Sequence, residues 1–231
     1  MQCLPKYELS SFSYEPKNYI SEQIRTVRTN IEFSGGALDE FKVLMITSPE
    51  ISDGKSTVSA NLATSWAQSG KKTLLIDADM RRSIAHVTFA LNNNEGLSTL
   101  LAKNGEPEKV VKETFIDNLS VMTAGPVPPN PAELIGSKRM AEVMEWARDH
   151  FDLVLVDATP VLAVADAQVA LKYSDGIVIV VKMGKTLKGN IQRTVELLKM
   201  SNARILGVIE RFQKSAERSG GYGYGYEKAN Q

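Results

Sequence analysis

Cysteine is nearly absent from this sequence. Cys3 is the single one among 231 residues, so no disulfide can close within the chain. Histidine is as scarce: His86 and His150 stand far apart, which leaves no Cys/His set for a structural zinc or an iron–sulfur cluster. No apolar run approaches the roughly 18 residues needed to cross a bilayer. The first residues, MQCLPKYELSSFSYEP, lack the charged lead and apolar stretch of a secretory signal. An excess of charge of one sign is missing too: 27 Lys plus Arg balance 27 Asp plus Glu, which argues against bulk nucleic-acid binding or a polybasic membrane patch. These absences predict a cytoplasmic protein with no nucleic-acid partner, whose contact with a membrane comes through another protein.

What is present is an ordinary globular composition. With 43% hydrophobic and 23% charged residues, the chain can bury the core of one α/β domain with a short arm at each end. Residues 1–17 are polar, with Pro5 and Pro16, and read as an N-terminal arm. A domain is expected over 18–218, opening with a helix at about 19–33, where Ile20, Ile24, Val27 and Ile31 recur at helical spacing. After it, short apolar runs alternate with helical patterns: VLMIT, TLLIDAD, NLSVMTAG, FDLVLVDATP, GIVIVVKMG and ARILGVIE. These runs are continuous instead of alternating, the pattern of a mostly parallel sheet buried between helices on both faces. PAELIGSKRMAEVMEWARDHF reads as one long helix with Pro131 in its first turn. Residues 219–231, SGGYGYGYEKANQ, have too little apolar surface to fold and read as a flexible tail.

In a sheet of this kind ligands bind beyond the carboxyl ends of the strands. Three strands end in residues suited to a phosphate. The first leads into SPEISDGKST, where Gly54 lets the backbone approach a phosphate, Lys55 supplies a cation and Ser56 offers a hydroxyl to Mg²⁺ at the start of a helix. The second ends in Asp77 and Asp79, two residues apart and so on one side of an extended chain. Two such carboxylates repel unless a cation lies between them. The third, four apolar residues and then Asp157, has the form of a Walker B strand. A second GKT, ending at Thr186, has only Lys182 and Met183 between strand and glycine; it leaves no room for a phosphate cradle and reads as a coincidence.

Taken in order, these residues resemble the bacterial protein-tyrosine kinases (BY-kinases) of capsule and exopolysaccharide synthesis. The resemblance runs from Glu22 to the tail. It is carried by Glu22, Arg25 and Arg28 as an ExxRxxR run, the Walker A loop, DADMR, GPVPPNPAELIGSKRM, VDATPVLAVADA and the C-terminal tyrosines. It implies a P-loop NTPase three-layer sandwich that uses ATP and Mg²⁺ to phosphorylate tyrosines of its own tail, with Tyr222, Tyr224 and Tyr226 as acceptors. Ser52, Asp53, Gly54, Lys55, Ser56, Thr57 and Arg211 would bind the nucleotide. Ser56, Asp77, Asp79 and Asp157 would hold the metal, and Lys55 with the three aspartates would carry catalysis. Asp77 is our choice as base, although sequence alone does not separate it from Asp79. The resemblance also implies a ring-shaped homo-oligomer, an octamer, with Glu22, Arg25 and Arg28 in the subunit contact. Further implied partners are a separate transmembrane activator, which recruits the chain to the inner face of the membrane, and a phosphotyrosine phosphatase.

The chain departs from the family in four places, one of which, Ser83 where proline is usual, carries no argument. Ile51 and Ser52 stand where Pro-Gly is common, and serine accepts a positive φ poorly. Thr159 replaces a second proline. Arg211 occupies the place of an asparagine that reads adenine, and arginine cannot accept from the adenine amino group. Two rivals remain. A partition-type ATPase switch of the same deviant Walker fold would carry a lysine where this chain has Glu50. A non-catalytic scaffold of a polysaccharide export complex would have no use for an intact Lys55, Asp77, Asp79 and Asp157.

Overall fold

The computed structural model describes residues 19–35 and 41–212. The N-terminal arm 1–17 and the tail with Tyr222, Tyr224 and Tyr226 lie outside them. Seven strands form one sheet: β1 (Val43–Thr47), β2 (Thr73–Asp77), β3 (Val111–Glu113), β4 (Leu119–Met122), β5 (Leu153–Asp157), β6 (Gly176–Lys182) and β7 (Ile205–Arg211). Their spatial order is β3-β4-β2-β5-β1-β6-β7. Every neighbouring pair is parallel except β3 with β4. The central strands β1, β2 and β5 are buried along their whole length, which is why they read as unbroken apolar runs.

Alternate side chains of each strand enter different layers. Leu44, Ile46, Leu75, Leu155, Val178 and Val180 pack with α1 (Tyr19–Gly35), α2 (Lys55–Gln68) and Phe89, which follows the short α3 (Ala85–Thr88). Val43, Met45, Leu74, Ile76, Val154, Val156, Ile177 and Ile179 pack on the opposite side. There they meet α4 (Leu97–Lys103), α6 (Pro131–Gly136), α7 (Lys138–His150), α8 (Asp166–Ala170) and α9 (Lys188–Met200). The result is the three-layer sandwich expected from the sequence. The one-turn helix α5 (Pro107–Val110) leads into β3. Among the described residues no helix is long and apolar enough to cross a membrane.

Two local readings need correction. The helix expected from Pro131 to Phe151 is two helices, α6 and α7. Ser137 between them is extended, with φ −68° and ψ 159°, and its Oγ accepts from the amide of Met140 at 3.2 Å. That hydroxyl satisfies an amide the new helix would otherwise leave open, so a break there is stable. The antiparallel strand β3 was not legible, because its three residues, Val-Lys-Glu, are a polar edge with no run to detect.

α1 is fastened to α2. Ile24, Val27 and Ile31 pack into the core beneath it. Arg28 Nη1 donates to the carbonyl of Ser65 at 2.7 Å, and Trp66 Nε1 donates to Glu32 Oε1 at 2.8 Å.

Candidate phosphate-transfer site

The sheet order brings three of the strand ends side by side. β5 lies between β1 and β2, and Asp77 is in register with Asp157. The segments beyond the strands are laced together: Thr47 Oγ1 donates to the carbonyl of Thr159 at 2.8 Å, and the amide of Val161 to that of Ser48 at 2.9 Å.

Lys55, in the first turn of α2, is the hub of what gathers there. Its Nζ lies 3.0 Å from Asp79 Oδ2, 3.4 Å from Asp157 Oδ1 and 3.2 Å from Ser56 Oγ. Burial disfavours the ammonium, but Asp157 and Asp79 outweigh that penalty and hold its pKa above the ordinary lysine value. Ser59, one turn on, places its hydroxyl 3.1 Å from Asp157 Oδ1. Sequence reading missed Ser59, although its spacing of four from Lys55 puts it on the same helix face.

Asp77 is fully buried and differently engaged. Its Oδ1 accepts from the amide of Asp79, and its Oδ2 from the amides of Ile84 and Ala85, at 3.1–3.2 Å. Burial, followed by the charge of Asp157, pushes its pKa up to about 7, against the pull of the backbone amides and Lys55. A carboxylate offers about four lone-pair sites. Three are taken here, leaving one on Oδ1.

The loop before α2 differs from its sequence reading in three respects. Ser52 does adopt the left-handed conformation, φ 65°, two residues before Gly54 at φ 93°. For a residue with a side chain that costs about 1–2 kcal/mol, so something must hold it. Asp53 turns its fully buried carboxylate into the protein, where it accepts from the Glu50 amide at 3.0 Å and from Thr186 Oγ1 at 3.0 Å. Asp53 therefore reaches the loop's mouth only through its backbone. Arg211 lies over Gly54, where a Cβ would fall 2.5 Å from the guanidinium. That sets a cation against the loop before α2. Thr57 is exposed on the first turn of α2, its carbonyl bonded to Asn61.

Beyond this cluster, Arg81 holds the buried Asp166 through Nε at 2.8 Å, tying the segment after β2 to α8. In the ExxRxxR run, Glu22 pairs with Arg25 on the exposed side of α1. Arg28 instead points inward to α2, so of the three expected subunit contacts it is occupied within its own chain.

The oxygens of Ser56, Asp79 and Asp157 already surround one cation, the ammonium of Lys55. Oxygen donors are the kind Mg²⁺ takes, so their chemistry suits the metal, while among the described residues no three His, Cys, Asp or Glu side chains are gathered into a metal-holding group. Asp77 makes no ion pair with Lys55 among the described residues and is occupied by backbone amides, which makes it the weakest of the four expected ligands.

A family model described as an AAA domain matches residues 42–207. The tyrosine-protein kinase YwqD of Bacillus subtilis is 45% identical over 217 residues, covering 94% of this chain and 90% of that protein. The chain belongs to the bacterial protein-tyrosine kinase family. The crystal structure of the chimerical protein CapA2B2 superposes with a TM-score of 0.83 at 39% identity, covering 89% of this chain and 90% of that one. The septum site-determining protein MinD of Pyrococcus horikoshii, complexed with Mg-ADP, shares the fold at TM-score 0.63 and 21% identity, over 73% of this chain and 69% of that one.

Proposed function

We propose that this member of the family transfers the γ-phosphoryl group of ATP to tyrosine hydroxyls, among them Tyr222, Tyr224 and Tyr226 of a neighbouring copy. The observation that carries the reading is the buried Lys55 ammonium ringed by Ser56, Asp79 and Asp157 at 3.0–3.4 Å. Phosphoryl transfer needs chiefly positioning and charge neutralisation, and this cluster offers both. On binding nucleotide, Lys55 leaves the carboxylates and turns to the β- and γ-phosphate oxygens. Ser56, Asp79 and Asp157 are then the oxygens free to hold Mg²⁺, which neutralises phosphate charge when bound. Arg211, against Gly54, adds a second cation at the loop.

A tyrosine hydroxyl titrates near 10 and needs a base within reach. Asp77, at about 7, titrates close to a neutral working pH and keeps one lone pair on Oδ1. The phenol oxygen bonds to the γ-phosphorus as the bond to the β-phosphate oxygen breaks, the phenolic proton passes to Asp77, and ADP leaves. Transfer to the tail of another copy fits a ring whose members phosphorylate one another. Each phosphate adds about −1.5 to −2 charge beside three aspartates, so phosphorylated tails are expelled and the ring loosens. We assign the chain to regulation of capsular or extracellular polysaccharide synthesis. It would be recruited to the inner membrane face by a separate transmembrane activator and reset by a phosphotyrosine phosphatase.

The test is incubation of the purified protein with Mg-ATP followed by anti-phosphotyrosine blotting. Signal is expected from the unmodified chain and none from Lys55→Met or from a chain ending at Gly221. Mixing Lys55→Met with the active tail-less chain should restore signal on the former. ATP turnover without phosphotyrosine would favour the partition-type switch, and neither activity would favour a scaffold.

A further inference from the structure

The GKT segment at the end of β6, which sequence reading set aside, is built into the phosphate loop. The amide of Lys182 donates to Thr186 Oγ1 at 2.9 Å, and that hydroxyl donates to Asp53 Oδ1 at 3.0 Å. Lys185 Nζ lies 3.6 Å from the same carboxylate oxygen and donates to the carbonyl of Ile51. From the first turn of α9, Asn190 donates to Glu50 Oε1. Three side chains of one turn and its helix thus grip Glu50, Ile51 and Asp53, the residues on either side of Ser52.

We propose that Lys185 and Thr186 are positioning residues of the nucleotide site, clamping the loop so that Ser52 stays left-handed and its backbone forms an anion-binding concavity. The proposal rests on the reading of Lys55 and its loop as an ATP site. Amides brought together by left-handed residues make such concavities. Gly54 supplies one at little cost, φ 93°, whereas Ser52 at φ 65° does not relax only if its neighbours are fixed. A glycine at position 52 would lower the need for a clamp. Asp53 is the fulcrum. Fully buried, it accepts the Glu50 amide with one oxygen and is held by Thr186 and Lys185 through the other. Without them its carboxylate would be a buried charge lacking a cation and a donor, and swinging it outward would set a negative group where phosphates must sit. Neither Lys185 nor Thr186 is assigned contact with the nucleotide; they act through Asp53.

The experiment is calorimetric titration of the full chain with Mg-ATP, with steady-state autophosphorylation at varied ATP. Thr186→Val keeps the shape and removes the hydroxyl. It should raise the Kd and the KM for ATP about tenfold, more than it lowers kcat, and Thr186→Ser should recover most of the affinity. Ser52→Gly placed in the Thr186→Val background should also recover part of it, since glycine needs no holding. A residue serving stability alone would lower the melting temperature and leave the Kd unchanged, and that result overturns the proposal. If Thr186→Val does not fold, Lys185→Met decides by the same readout: a severalfold weaker Kd supports the clamp, an unchanged one overturns it. An unmodified chain that binds no Mg-ATP would sink the site assignment itself, whereas normal binding by both variants sinks the clamp alone.

Discussion

Asp77 and Asp157 are register partners on adjacent parallel strands, both buried, and only one of them keeps ion-pair contact with Lys55. Asp157 lies beside the cation, while burial and then the charge of Asp157 push the pKa of Asp77 up to about 7.

A pH dependence follows from that shift. A base must be deprotonated, so the autophosphorylation rate should rise as pH increases through about 7. Asp77→Asn should lose the activity. Stability should move the other way. The folded value lies above the ordinary 3.8, so the native state binds the extra proton between about pH 4 and 7 and loses stability as pH rises across that window. Melting curves at pH 5 and 8 should show Asp77→Asn gaining on the unmodified chain at the higher pH. Equal differences at both would argue against the raised value.

Lys55→Met should destabilise the apo protein by about 3 kcal/mol, because it leaves Asp79 and Asp157 buried without their cation. Mg²⁺ alone should then raise the melting temperature of Lys55→Met more than that of the unmodified chain, since the metal no longer competes with an ammonium. Differential scanning fluorimetry with and without Mg²⁺ measures both effects.

Arg28→Ala should cost roughly 2 kcal/mol in chemical denaturation at concentrations where the chain is monomeric, through loss of the charged donor to Ser65. A residue engaged only between subunits would change association and leave the monomer as it was.

Gly96→Ala should be among the most damaging small substitutions outside the site. A methyl there would sit 2.2 Å from the Thr123 carbonyl and 2.5 Å from the Gly125 amide, both backbone. The start of α4 hydrogen-bonds to that same segment through Leu97 and Ser98. The cost should be roughly 2 kcal/mol or more, read as loss of soluble folded protein or a lower denaturation midpoint.

The parallel strands were legible because burial on both faces leaves an unbroken apolar run, and the acids at their ends stood out against it. Residues acting across the sheet were not. Thr186 is far from Asp53 in sequence, and only the adjacency of β1 and β6 makes them neighbours. A GKT read for phosphate binding carries no sign of a grip on another loop. The inward turn of the Asp53 carboxylate was hidden because spacing does not say which way a side chain points. Arg28 shares its three-residue spacing with Glu22 and Arg25, but the side of α1 that faces α2 appears only once the helices pack. Ser137 broke a helix whose apolar periodicity continues through it, since a hydroxyl's choice between capping and pointing outward leaves no mark on that pattern.

The fastening of α1 to α2 gives the domain a lever. α2 is a single stiff rod of 14 residues, with Lys55 at one end and Ser65 and Trp66, gripped by Arg28 and Glu32, roughly 15 Å away. Strain placed on α1 would therefore be borne by the same rod that carries the ammonium.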